Sequence, residues 1–169
     1  SKVNPNNKCR MRATLCNQLA LYVVLYSPLQ MAADLPENYE KHLDAFQFIK
    51  DVAVDWDDSH YLEAEPGEYI TVARKAKGSP NWFVGCVAGL HAHMANVPLS
   101  FLEPGKKYLA TIYKDGAKAD IDKFTADYVI EQRTVTHRSK LRIRAVKGGG
   151  FAISIKPLER GEKVKKVKK

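Results

Sequence analysis

The side chains able to do chemistry fall into a few short clusters. Asp55, Asp57 and Asp58 crowd together as if to hold a cation, but their spacing lacks the central glycine and the distal glutamate of an EF-hand loop. A solvated linker is the simpler reading. Glu63, Glu65 and Glu68 flank a Pro-Gly turn and are expected on an outer face. His91 and His93 form an HxH pair that could supply one edge of a metal site, yet no third ligand stands near them in sequence. They read as loop residues between strands. Gly148, Gly149 and Gly150 do not cradle a phosphate, because no helix follows whose N-terminus could bind the anion. Cys9, Cys16 and Cys86 are odd in number and fall in no CxxC or Cys/His spacing, so they are expected as free thiols.

The elements that must position these groups begin with a helix over Lys8 to Tyr26. Leu15, Leu19, Tyr22 and Tyr26 recur at helical steps, and Leu21, Val23, Val24 and Leu25 fill the gaps, so this helix is apolar almost all round and made for burial. Ser27-Pro28 stops it. Leu29 to Ala33 is a short apolar run closed by Asp34, and a second helix is expected from Glu37 to Lys50, with Tyr39, Leu43, Phe46 and Ile49 on one face. Helix, short buried strand, helix is the grammar of parallel α/β structure. A single such strand leaves Phe46, Phe48 and Ile49 in need of a surface, either the rest of this chain or another chain.

After an acidic link over Asp51 to Ser59 the pattern changes to period two. Strands are expected at Tyr61 to Glu65, Gly67 to Ala76, Trp82 to Val87, Val97 to Leu102, Lys107 to Lys114, Tyr128 to Thr136, Leu141 to Ala145 and Phe151 to Lys156. In the last two, Leu141, Ile143, Phe151, Ile153 and Ile155 alternate with Arg142, Arg144, Ala152, Ser154 and Lys156, which predicts one buried and one wet face. About eight strands suffice for two packed sheets of roughly four. The fold class is therefore mainly β, an antiparallel sandwich preceded by two helices and one short strand.

The net charge is +8, but the stretch from Lys156 to Lys169 holds seven Lys/Arg against two Glu and so carries +5 of it. That basic tail, 159 to 169, reads as a solvated terminus and gives no reason to expect nucleic-acid binding. The apolar run around Leu19 to Leu25 is far short of the roughly 20 residues a membrane helix needs. No membrane span and no export signal are expected within this sequence.

Read as QLALYVVLYSPLQMAADLPENY, then GEYITVARKA, NWFVGCV, FLEPGKKYLATIYKDG and GGGFAISI, the chain resembles the C-terminal part of bacterial glycoside hydrolase family 97, the α-glucosidase type. The resemblance covers roughly residues 14 to 158. It implies that residues 1–54 are the C-terminal remnant of a catalytic (β/α)8 barrel and that 55–158 form an all-β C-terminal domain. It also implies that the catalytic carboxylates and the glutamates that bind calcium in the intact enzyme lie upstream, leaving no cofactor in this chain. By the same resemblance the partners expected are the upstream barrel and further copies in a homo-oligomer, the substrates of the intact enzyme are α-linked glucosides or galactosides, and the compartment is periplasmic or otherwise extracytoplasmic.

Glycoside hydrolysis needs two carboxylates across the scissile bond, and no convincing pair is present. Asp34 and Gln30, at the end of the expected barrel strand, are the nearest to an active-site rim, since that fold builds its sites at strand C-termini. Asp34 could equally cap the following helix. Trp56 and Trp82 are candidates for stacking on sugar rings. The leading expectation is a non-catalytic accessory and oligomerisation domain that supports the barrel; the alternative is a carbohydrate-binding module.

Overall fold

The computed structural model describes residues 13–26, 39–159, 161–162 and 164. Two helices, α1 (Leu15–Val24) and α2 (Leu43–Asp51), precede eight strands: β1 (Trp56–Glu65), β2 (Tyr69–Ala76), β3 (Trp82–Ala88), β4 (His93–Pro98), β5 (Tyr108–Asp115), β6 (Tyr128–Val135), β7 (Lys140–Ala145) and β8 (Gly150–Pro157). All pair antiparallel. The fold class expected from the sequence is the one observed, but the strands divide differently. Six form one sheet in the order β1-β2-β3-β8-β5-β6, and β4 pairs with β7 in a two-stranded ribbon, where two sheets of about four were expected. The reason is long-range: β8 inserts between β3 and β5 and joins what the chain order keeps apart.

The ribbon covers one face of the large sheet. Its Ala95, Val97, Leu141 and Ile143 close over Val84, Ala110, Ile112, Ile153 and Ile155 in one core. The helices cover the other face, where Leu15, Leu19, Val23, Phe46 and Phe48 meet Phe83, Tyr113 and Ala152. A sheet covered on both sides hides the alternation that a half-wet strand displays. β7, in the ribbon, alternates as expected, whereas β8 is buried at most positions on both faces. The expectation of a wet face on β8 is corrected by α1, which lies across β3 and β8. The helices thus find their partner surface on this chain's own sheet.

Several boundaries also move. α1 starts at Thr14, whose side chain accepts from Asn17 N at 3.2 Å, and it ends at Val24 with Leu25 already extended. A single 3-10 turn, Tyr39–His42, leads into α2. Its buried side chains are Ala45, Phe46 and Phe48; Leu43, expected on the apolar face, is 54% exposed. β1 begins at Trp56, five residues before the expected strand, inside what reads as a linker. Two register irregularities, between Trp56 and Asp58 and between Tyr61 and Glu63, break its period-two signal. β4 spans His93–Pro98, not 97–102; Leu99 to Leu102 is a turn that buries both leucines and is closed by Leu102 N donating to Leu99 O at 3.0 Å. The expected strand over 29–33 lies outside the described residues.

Candidate functional site

Two buried charged side chains organise the face of the sheet that carries α1. Asp115, at the end of β5, accepts from Thr14 Oγ1 at 2.7 Å, Val146 N at 3.0 Å and Gly150 N at 2.9 Å. It therefore ties the first turn of α1 to the β7–β8 turn. Asn17 Nδ2 reinforces the tie by donating to Gly149 O at 2.8 Å. Burial raises the Asp115 carboxyl above its ordinary range, against the pull of those three donors. Gly148 takes a positive φ of 64°, but Gly149 is needed for space, since a Cβ there would lie 2.0 Å from Asp115 Oδ2. The glycine run is a docking point for a carboxylate and a helix, as well as the tight turn expected of it.

Arg74, on β2, is 2% exposed and holds the other end of α1. Its Nε donates to Val23 O at 2.7 Å and an η nitrogen to Val24 O at 3.1 Å, while the other η nitrogen reaches Ser59 Oγ at 2.7 Å. A cation against the last carbonyls of a helix satisfies orphan acceptors and opposes the negative end of the helix dipole. The rings of Tyr26 and Tyr61 flank the guanidinium at 5.4 and 5.6 Å. Both roles escaped sequence reasoning, because an arginine inside a strand and an aspartate at a strand end carry no local signal.

The clusters singled out from the sequence are engaged in structural contacts. Asp57 accepts from Gly78 N at 2.8 Å and Asp55 pairs with Lys77 at 3.3 Å, which ties the start of β1 to the β2–β3 turn, and Asp58 pairs with His60 at 2.9 Å. Glu63 is not simply on an outer face. Its Oε1 meets His93 Nε2 at 2.7 Å and accepts from Thr71 Oγ1 at 3.1 Å, and Tyr69 stacks on the His93 ring at 3.6 Å. This contact latches the ribbon to β1 and β2, so His93 is a strand residue and not a loop residue. His91 instead pairs with Glu68 at 2.8 Å, and the HxH pair is divided between two carboxylates. Among the described residues no three His, Cys, Asp or Glu converge as a metal site.

Trp82 is 5% exposed and packed against Phe101 at 4.5 Å; Trp56 is 7% exposed and packed edge-on to Phe83 at 5.9 Å. Neither indole offers a face to a sugar ring. Gln30 and Asp34 lie outside the described residues. Cys16 and Cys86 are buried free thiols, and burial pushes the Cys86 thiol up to about 12. Such thiols are inert as nucleophiles. A concave surface of about 770 Å³ opens beside α1 at the β1–β2 turn, with Leu21, Ile70, Val87 and Leu90 on its walls. Its lining is mainly apolar, which suits packing against polypeptide better than general acid–base chemistry. No described helix is long and apolar enough to cross a membrane.

Comparison with known proteins accounts for this arrangement. Residues 55–156 match the family described as glycosyl-hydrolase 97 C-terminal, oligomerisation. The chain is 40% identical over 145 residues to a retaining alpha-galactosidase of Bacteroides thetaiotaomicron, covering 86% of this chain and 21% of that protein. It is 32% identical over 140 residues to a probable retaining alpha-galactosidase of Streptomyces bingchenggensis, covering 83% and 20%. A glycoside hydrolase family 97 enzyme of Pseudoalteromonas sp. strain K8, solved in complex with acarbose, superimposes with a TM-score of 0.80 at 40% identity, over 88% of this chain and 23% of that one. The chain thus spans about a fifth of the length of these relatives. On the family match over most of its length, the chain belongs to glycoside hydrolase family 97 and carries that family's C-terminal oligomerisation domain.

Proposed function

We propose that this chain is the non-catalytic accessory part of a glycosidase acting on α-linked galactosides or glucosides, and that it supports the upstream catalytic barrel and mediates self-association. The observation that carries the reading is how the chemistry-bearing side chains are used. Asp115 and Arg74 hold α1 against the sheet, and Glu63 latches the ribbon. The acidic residues of β1 pair with neighbouring Lys and His. Each of these groups is engaged in a structural contact, whereas glycoside hydrolysis requires two carboxylates free to face each other at a separation of roughly 5 to 10 Å. The substrates named for the relatives point to the intact enzyme, and calcium, if used, belongs with its upstream residues. The apolar concavity beside Leu21 and Leu90 supports the buttressing role, since an apolar wall of that kind is best covered by neighbouring polypeptide.

The test is to assay the folded chain against aryl α-glucosides and aryl α-galactosides with calcium present. The expected result is no turnover above a blank. Turnover that survives repurification would place a working carboxylate pair in this chain and overturn the reading.

A further inference from the structure

We propose that the open edge of β6 pairs antiparallel with β6 of a second copy of this chain, about a two-fold axis through Gln132, fusing the two large sheets into one. This names the surface used for the self-association proposed above and rests on that reading.

Among the described residues the six-stranded sheet has two edges, β1 and β6, and they are built differently. β1 carries two register irregularities and the acidic pair Asp57 and Asp58, which are the devices that keep an edge from recruiting another strand. β6 has neither. All eight of its residues, Tyr128 to Val135, pair with β5 in unbroken register, so its outer backbone groups form a regular ladder template.

Among the registers that keep most of the strand paired, side-chain chemistry then favours one. Centred on Gln132, the pairing sets Glu131 opposite Arg133 of the second copy, Ile130 opposite Thr134 and Val129 opposite Val135. No like charges meet, and the exposed Val129 comes beside Val135, which the chain's own core already buries. A shift of the centre to residue 131 would place Glu131 on Glu131, and a shift to 133 would place Arg133 on Arg133. Both set like charges directly opposite and are disfavoured. A slip that pairs odd with even positions would join the helix-bearing face of one sheet to the ribbon-bearing face of the other.

Glu131 is suited to the role. Within its own chain it meets Lys114 at 2.9 Å and Arg133 at 2.8 Å, and both contacts fall on Oε1, so a second oxygen remains to accept from an arginine across the axis. Arg133 is 43% exposed and Val129 41% exposed, so neither is committed to the chain's own core.

The experiment uses the full chain in a Cys9→Ser background, with Cys16 and Cys86 buried. Residues directly opposite in an antiparallel pair stand at about 4.5–5.5 Å between Cα atoms, within the range a disulfide bridges. Mild oxidation of Gln132→Cys should therefore give a covalent dimer of twice the 19.0 kDa chain mass. Thr134→Cys, which sits opposite Ile130 and far from its own copy, should not cross-link. In parallel, light-scattering mass should fall to that of a monomer for Arg133→Glu, with the far-ultraviolet circular dichroism of the folded sheet retained, and return to that of a dimer for Glu131→Arg/Arg133→Glu. An assembled parent protein whose Gln132→Cys variant does not cross-link and whose Arg133→Glu variant stays assembled overturns the edge proposal while leaving self-association standing. A monomeric parent overturns both.

Discussion

Asp115 links three parts of the chain that are far apart in sequence, and its hydrogen bond to Thr14 spans 101 residues. Asp115→Ala would leave the Thr14 hydroxyl and the Val146 and Gly150 amides without their acceptor, at a cost of about 3 kcal/mol, read as a lower urea midpoint. Asp115→Asn keeps an acceptor for the amides and should cost less. The pH dependence separates the two effects. Because burial raises the folded-state pKa of this carboxyl, its stability contribution is fully present below the ordinary aspartate value and is lost as pH rises through the folded value. Wild type should therefore gain on Asp115→Asn as pH falls from neutral toward about 4. The buried indoles of Trp56 and Trp82 give a second expectation at this scale: high concentrations of malto-oligosaccharide leave the tryptophan emission unchanged. A saturable change would favour the carbohydrate-binding alternative. The residue types at 74 and 115 were visible in the sequence, but their partners are set by topology, which no local pattern encodes.

At the scale of elements, close approach decides where α1 can lie. A Cβ at Gly85 would come within 2.6 Å of Ala20 O and 3.0 Å of Val23 Cβ, so β3 has a glycine where the helix crosses it. Gly85→Ala should displace α1 and cost about 1–3 kcal/mol in a urea melt. An unchanged midpoint would show that the helix is not seated as described. The apolar content of α1 was legible because Leu15, Leu19 and Tyr22 keep helical spacing, and β7 was legible because Leu141, Ile143 and Ala145 alternate with charged residues. β1 was half lost, since its irregularities break the period that reveals a strand, and since Asp57 and Asp58 read as linker. The division of strands into six and two was not legible at all. It depends on β8 reaching β3, whose residues lie about seventy positions earlier in the chain.

At the scale of the whole molecule, the sheet is covered by helices on one face and by the ribbon on the other, and among the described residues the β6 edge and the apolar concavity are surfaces suited to meet other polypeptide. That is the anatomy of a domain that holds other parts together. The family resemblance was legible from ordered blocks such as NWFVGCV and GGGFAISI, because these encode a strand buried on both faces and the glycine turn that receives Asp115. Which surface makes the contact depends on where strands end up in the sheet, and that needed the fold. The measurement that bears most directly on the account is sedimentation equilibrium of the folded chain over a range of concentrations. The account predicts a reversible dimer of twice the 19.0 kDa chain mass. A single species at the chain mass across the whole range would contradict it.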